Sequence, residues 1–342
     1  MVIIMKPTAS EQEITFVINY IKRNYNLRID TITGEFQTII GLIGEENQID
    51  FELLELLPGV ERAHRIQIPY KLVSRSYHSA DHIIDVKGVR IGGSSRPIFI
   101  AGPCSIESKE QLLQIAAQIK SAGADILRGG AFKPRSSVHS FQGLGEKGLE
   151  LLARAGEEYG MPTITEVRGE TQVEMVAKYA DILQIGARNM YNQDLIESIA
   201  RQHKPILLKR HFGAGFDEFL NFSERAIAEG NRDVILCERG LIPIGKGRQH
   251  TRYMLDLSIV PLTKIESYLP VIVDPSHATG RRDLVLSMSL AAIAAGAHGI
   301  MVEVHHQPEK ALSDGPQMIL PSELQHLIST SLNIHRQITQ ET

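Results

Sequence analysis

Ile300-Met301-Val302-Glu303-Val304 alternates three β-branched residues with Met301 and Glu303. Successive side chains of a strand point to opposite faces, and β-branched ones suit a face packed on helices. Met301 and Glu303 therefore point the other way, with the carboxylate near the strand's C-terminal end. An inward acid at that end suits the mouth of a parallel barrel, where such folds carry their chemistry. Seven short apolar runs precede this one, at 98–101, 125–128, 163–167, 182–185, 206–209, 234–237 and 271–274. Helix-like stretches lie between them, among others 109–122, 146–159, 170–178, 194–202 and 283–295. Eight strands with helical crossovers over residues 96–342 predict a (β/α)8 barrel, which takes roughly 250 residues. A doubly wound open sheet would need a Gly-rich turn after its first strand, and Gly102-Pro103-Cys104-Ser105 is not one.

Upstream, residues 1–68 read as strand 2–5, helix 10–24, strands 27–33 and 36–42, helix 51–57 and strand 60–68. Ile14, Val17, Ile18 and Ile21 share one face of the first helix, and Ser10 with Glu13 forms a capping box. Pro58-Gly59 stops the second helix. This order predicts a small ferredoxin-like α+β domain. Residues 69–95 are expected to be a linker, with a β-hairpin around Gly88 and a break at Gly92-Gly93-Ser94-Ser95.

The chain has 342 residues, 43% hydrophobic and 22% charged, the composition of a folded protein. With 36 Lys plus Arg against 40 Asp plus Glu, the formal net charge is -4. No global positive field is available to hold nucleic acid or an anionic membrane, so an anionic partner must be gripped locally. No apolar run approaches the roughly 20 residues of a membrane span, and the apolar start Val2 to Met5 is too short for a signal-peptide core. Two cysteines, Cys104 and Cys237, make no disulfide framework. The expected location is the cytoplasm.

The C-terminal ends of the eight runs read Cys104, Arg128 with Lys133, Glu166, Arg188, Lys209, Glu238-Arg239, Asp274 with His277, and Glu303. Any one could be a solvated rim charge, but the whole series argues for a site. Arg128, Lys133, Arg135, Arg188, Lys209 and Arg239 are one set, and they call for anions. A phosphate monoester carries about -1.5 to -2 charges at pH 7, so six cations suit two phosphates, or a phosphate plus a carboxylate. Cys104, His277, Glu303 and Asp314 are the other set, a donor mixture that suits Mn, Fe, Co or Zn better than Mg or Ca. Their spacing is too wide for a finger. Taken alone, Cys104 and Cys237 read as core fillers. His305 and His306 compete as ligands and are taken as rim residues.

At these residues the chain resembles 3-deoxy-D-arabino-heptulosonate 7-phosphate (DAHP) synthase, most of all the type I beta subgroup with an N-terminal ferredoxin-like domain. The resemblance rests on Ala101-Gly102-Pro103-Cys104-Ser105, Gly129-Gly130-Ala131-Phe132-Lys133-Pro134-Arg135-Ser136-Ser137 and Gln184-Ile185-Gly186-Ala187-Arg188-Asn189. It extends through Leu207-Leu208-Lys209-Arg210, Leu236-Cys237-Glu238-Arg239-Gly240, Asp274-Pro275-Ser276-His277 and Ala311-Leu312-Ser313-Asp314-Gly315. It implies condensation of phosphoenolpyruvate with erythrose 4-phosphate, releasing phosphate, at the entry to the shikimate pathway of aromatic amino acid biosynthesis. By the same resemblance Cys104, His277, Glu303 and Asp314 hold a divalent metal that polarises the aldehyde oxygen. Arg128, Lys133, Arg188, Lys209 and Arg239, with the Ala187 backbone, hold phosphoenolpyruvate. Arg135 and Ser136 take the aldose phosphate. Lys133, Glu166, Lys209 and His277 are the candidate catalytic groups, with Glu166 and Lys209 positioning the water and moving its proton. Asp274 is expected to support a ligand rather than to be one.

Residues 211–215 and 241–250 depart from the usual pattern, as do Ser136 and Val138-His139. The nearest rival condenses phosphoenolpyruvate with arabinose 5-phosphate, as 3-deoxy-D-manno-octulosonate 8-phosphate synthase does. Its signature inserts Ala-Asn between the Lys and Arg that here flank Pro134. A Schiff-base aldolase using Lys209 is a rival of another class. A barrel turned sensor or scaffold is disfavoured, since no expected ligand or substrate cation is missing. For the N-terminal domain the resemblance implies feedback control by an aromatic amino acid, bound between such domains of neighbouring subunits in a homodimer or homotetramer.

Overall fold

Two units divide the chain, Met1–Pro69 and Tyr70–Thr342. The computed structural model describes residues 1–34, 37–43, 49–64, 69–133, 141–244 and 250–340. The first unit runs β1 (Val2–Met5), α1 (Glu11–Asn24), β2 (Arg28–Thr33), β3 (Thr38–Ile43), α2 (Phe51–Glu55) and β4 (Val60–His64). Its strands pair antiparallel in the order β2-β3-β1-β4, the ferredoxin-like arrangement. Ser10 starts α1 through the expected capping box. Its Oγ accepts the Glu13 N–H at 3.3 Å, and the Glu13 carboxylate accepts the Ser10 N–H at 2.7 Å. Val17 and Ile21 of α1 are buried with Ile3, Met5, Ile40, Leu42 and Leu54. The reading of strand 60–68 extends onto residues 65–68, which lie outside the described residues.

The second unit opens with the hairpin β5 (Ile84–Val86) and β6 (Val89–Ile91). Eight parallel strands follow: β7 (Ile98–Gly102), β8 (Ile126–Arg128), β9 (Thr163–Val167), β10 (Ile182–Ile185), β11 (Ile206–Lys209), β12 (Val234–Glu238), β13 (Val271–Val273) and β14 (Gly299–Glu303). They close in sequence order into a barrel, β14 pairing with β7. The helices of this unit are α3 (Lys109–Ala122), α4 (Glu146–Tyr159), α5 (Val173–Tyr179), α6 (Gln193–Ala200), α7 (Phe216–Ala228), α8 (Ile259–Glu266), α9 (Pro275–Thr279), α10 (Arg282–Ala294) and α11 (Pro321–Gln340). Most of them form the outer layer.

Alternation along the strands builds two cores. Ile98, Ile100, Ile126, Ile164, Ile182, Leu207, Ile235, Cys237, Ile272 and Met301 fill the interior. Ile300, Val302 and Val304 face the helices, the orientation read from their β-branching. Ile84, Val86 and Ile91 of the hairpin join the interior cluster, so the hairpin plugs the N-terminal end. Other residues of 69–95 are fastened to the barrel as well: the Tyr268 hydroxyl donates to the Leu72 carbonyl at 2.7 Å, and Lys87 pairs with Asp181 at 2.8 Å. With apolar side chains filling the lower barrel, room for polar groups remains at the opposite end.

Candidate active site

The C-terminal ends of the barrel strands surround a cavity of about 310 Å3. Arg128, Lys133, Glu166, Ala187, Arg188, Lys209, Arg239, His277 and Asp314 all line it. Cys104 and Glu303 lie beside it and are fully buried. Arg135 and Ser136 lie outside the described residues.

Cys104 follows β7, where Gly102 has φ 150° and a Cβ would lie 2.0 Å from the Arg128 carbonyl oxygen. Only glycine allows β7 and β8 this approach. The Cys104 Sγ lies 3.1 Å from Asp314 Oδ2 and 2.9 Å from Lys133 Nζ. Asp314 holds the left-handed region at φ 50°, a conformation that costs a non-glycine residue energy and is retained where the surroundings dictate it. Donor atoms of Cys104, Glu303 and Asp314 fall within 4.8 Å of one another, a group able to hold a metal ion.

His277, expected as the fourth ligand, stands beside this group but is not one of its three clustered donors. Asp274 caps the short helix α9: its Oδ1 accepts the His277 N–H at 3.0 Å, and its Oδ2 meets His277 Nδ1 at 2.7 Å. That contact orients the ring and leaves Nε2 3.4 Å from Glu303 Oε1. Lys209 Nζ reaches the same Asp274 Oδ2 at 2.5 Å. Asp274 is thus engaged on both oxygens. Glu303 accepts from Arg128 Nη1 at 2.7 Å and from Gln317 Nε2 at 2.6 Å.

Charge at this end is balanced unevenly. Burial alone would raise the Glu303 carboxyl, but His277, Arg128 and Lys133 hold it far below the usual carboxylate range. Burial pushes the Cys104 thiol up to about 12; Glu303 and Asp314 act in the same sense, while Lys133 and Arg128 oppose them. Only a strong added positive charge would make this sulfur a thiolate near neutral pH. Arg128 and Lys209 spend their charge on Glu303 and Asp274. Among the described residues Arg239, 5% exposed, has no carboxylate partner, and its Nη1 has no hydrogen-bond partner at all. The arrangement pairs soft and hard metal donors with cations left over for an anion.

Glycines shape the floor. A Cβ on Gly186 would lie 2.2 Å from Glu166 Oε1, so that carboxylate occupies the space a side chain would take. Gln184 donates to the other Glu166 oxygen at 3.2 Å.

Some strand-end residues serve elsewhere. Glu238 turns outward, pairs with Arg210 at 3.1 Å and accepts the Gly240 N–H at 2.7 Å. Cys237 fills the interior, as read. His305 is no rim residue: it is buried, accepts the Gln307 N–H at 2.9 Å on Nδ1, and stacks on His306 with ring centroids 4.6 Å apart. Neither histidine joins the metal group. The cavity also contains Arg168, Phe212, Arg252 and Tyr253, which sequence reasoning missed. Arg168 stands two residues beyond Glu166 and was open to the strand-end rule. Arg252 and Tyr253 come from the irregular segment between β12 and α8, where no periodicity points at them.

The model of the DAHP synthetase I family matches residues 76–340, and that of the DAHP synthase ferredoxin-like domain matches residues 1–68. The chain is 48% identical over 319 residues to the phospho-2-dehydro-3-deoxyheptonate aldolase of Thermotoga maritima, covering 93% of each. It is 33% identical over 263 residues to the 2-dehydro-3-deoxyphosphooctonate aldolase of Syntrophobacter fumaroxidans, covering 71% of this chain and 89% of the relative. A crystal structure of the Thermotoga maritima phospho-2-dehydro-3-deoxyheptonate aldolase superposes with a TM-score of 0.91 at 45% identity, covering 98% of this chain and 97% of that one. A truncated form of the Thermotoga maritima synthase superposes at 0.73, covering 79% of this chain and 98% of that one.

Proposed function

This chain belongs to the DAHP synthetase I family, and from that premise we propose how its cavity condenses phosphoenolpyruvate with erythrose 4-phosphate. It is an enzyme, an aldolase-type transferase of aromatic biosynthesis. The observation that carries the reading is the Cys104–Glu303–Asp314 group opening onto a cavity with Lys133, Arg188 and Arg239 on its walls. Cys104, His277, Glu303 and Asp314 would hold the divalent cation, whose bound charge supplies the pull on the aldehyde oxygen. Arg128, Lys133, Arg188, Lys209, Arg239 and the Ala187 backbone bind the carboxylate and phosphate of the enol substrate. The aldose phosphate falls to Arg135 and Ser136, on sequence grounds alone.

The enol carbon attacks the aldehyde carbon, and a C–C bond forms as positive charge develops on the adjacent carbon. Water captures that carbon and its proton passes to Glu166, which Gln184 orients. The C–O bond to phosphate then breaks as the new hydroxyl gives up its proton and becomes a ketone, and the former aldehyde oxygen, left with a negative charge when the C–C bond forms, takes up a proton as a hydroxyl. Lys209, anchored on Asp274, balances the changing charge. Glu166→Gln is expected to lower kcat by about 10²–10⁴ with little change in either KM.

The test is phosphate release from phosphoenolpyruvate with each aldose phosphate. Erythrose 4-phosphate should be preferred over arabinose 5-phosphate; the reverse preference would make this an octulosonate-forming enzyme.

We further propose that residues 1–68 sense an aromatic amino acid, in a homodimer or homotetramer, and that the enzyme works in the cytoplasm. Among the described residues no helix is long and apolar enough to cross a membrane. Phenylalanine or tyrosine should inhibit the full chain, while a chain beginning at Tyr70, the start of the second unit, should keep activity and lose the response. Equal inhibition of both chains, or of neither, removes the regulatory role.

A further inference from the structure

Two aromatic residues from separate loops meet beside Arg239. Phe212, after β11, and Tyr253, before α8, stack with ring centroids 5.5 Å apart and 22° between planes. His211 stacks on Phe212 at 4.0 Å, and Tyr191 meets His211 at 4.8 Å. At the other end of this row the Arg239 guanidinium lies over the Tyr253 ring, 4.1 Å from its centroid.

Backbone bonds hold the row in place. Tyr253 N–H donates to the Ala278 carbonyl at 2.8 Å, tying the ring to the helix that carries His277. Ile242 N–H donates to the Phe212 carbonyl at 2.8 Å, and Leu241 and Met254 exchange both backbone bonds. Gly240, at φ 95°, clears the way: a Cβ there would lie 2.7 Å from Tyr253 Cβ.

The other buried cations of the site have carboxylate partners, Arg128 with Glu303 and Lys209 with Asp274. Arg239 has none among the described residues, its Nη2 reaching only the His277 carbonyl at 3.5 Å. An aromatic face attracts a guanidinium through its quadrupole and adds no negative charge. Such a support fixes the fork without neutralising it, leaving the unpartnered Nη1 and the full charge for an anion. We propose that Tyr253, seated on Phe212, is a positioning residue that holds Arg239 for the phosphate of the enol substrate. This rests on the assignment of Arg239 to that substrate.

The test compares Tyr253→Leu, Tyr253→Phe and Phe212→Leu in the full chain. The leucine variant at 253 is expected to raise KM for phosphoenolpyruvate about tenfold, and the inhibition constant of inorganic phosphate likewise. Its kcat should stay within about threefold, and KM for erythrose 4-phosphate within about twofold. Tyr253→Phe keeps the π face and should match the parent within about twofold. Should Tyr253→Leu fail to fold, Phe212→Leu, which leaves Tyr253 in place, should show the same split at about threefold. Leucine and phenylalanine variants that both match the parent overturn the proposal. So does a loss that falls equally on both substrates and kcat, since that marks a ring needed only for folding. Calorimetry of phosphoenolpyruvate binding separates the two readings. A parent that binds the enol phosphate, and loses affinity in Tyr253→Leu, keeps the positioning role even where no condensation occurs.

Discussion

Replacing Cys104 with alanine is expected to lower kcat/KM by about a thousandfold, the several kcal/mol that a bound cation contributes to the transition state. The sulfur is fully buried, 3.1 Å from Asp314, and shares its surroundings with Glu303. Burial keeps it a thiol, with the pKa pushed up to about 12, so binding a cation must displace a proton. Metal affinity should therefore rise with pH across the neutral range. Chelation of the parent should abolish turnover, and added Mn should restore it. Cys104→Ser, with a harder and shorter donor, should weaken metal and activity together. Elemental analysis alongside steady-state rates decides: an alanine variant that contains no metal and turns over at the parental rate would remove the cation from the reaction.

Asp274→Ala should cost about 3–5 kcal/mol of stability, the penalty for stranding a buried charge. Asp274 joins Lys209 and His277 while buried from solvent. Without it the Lys209 ammonium has no counter-charge, and the His277 ring loses the partner that orients it. Metal affinity should fall about 10–100-fold, the usual loss when the group orienting a histidine ligand is removed. The pH dependence has a definite sign. Burial opposes ionisation of Asp274, but His277 and Lys209 hold its carboxyl well below the usual range. A carboxyl depressed on folding contributes fully above its unfolded pKa of about 3.9, and the contribution is lost as pH falls through the folded value. The parent should lose stability more steeply than Asp274→Asn below about pH 4. Urea unfolding across pH with metal titrations measures both. An alanine variant within about 1 kcal/mol of the parent would show that the pair adds nothing.

Much of this site was legible from strand ends. Arg128, Lys209, Glu303 and Asp274 fall at or beside the last residue of short apolar runs, and for Glu303 a period of two told which way it points. His277 and Asp314 needed the motif, since they stand on α9 and in a turn, where no strand period reaches. Arg252 and Tyr253 were beyond both approaches. Their places depend on backbone bonds to Thr279 and Ala278, partners more than 20 residues away in sequence. Glu238 was read with the site because it ends a strand, yet alternation turns it to Arg210.

By itself the sequence determined the barrel, the ferredoxin-like module and the two chemical sets. Those follow from local periodicity, capping and residue type, which each segment carries without its neighbours. Only the tertiary structure decided which charges cancel and which remain. Arg128 and Arg239 are alike as residues, but Glu303 comes from the far end of the chain to neutralise one, while an aromatic ring supports the other. Pairing over such distances is set by closure of the barrel, where β14 lies beside β7 and brings Glu303 level with Gly102. The residual positive charge of this cavity is therefore a property of the fold.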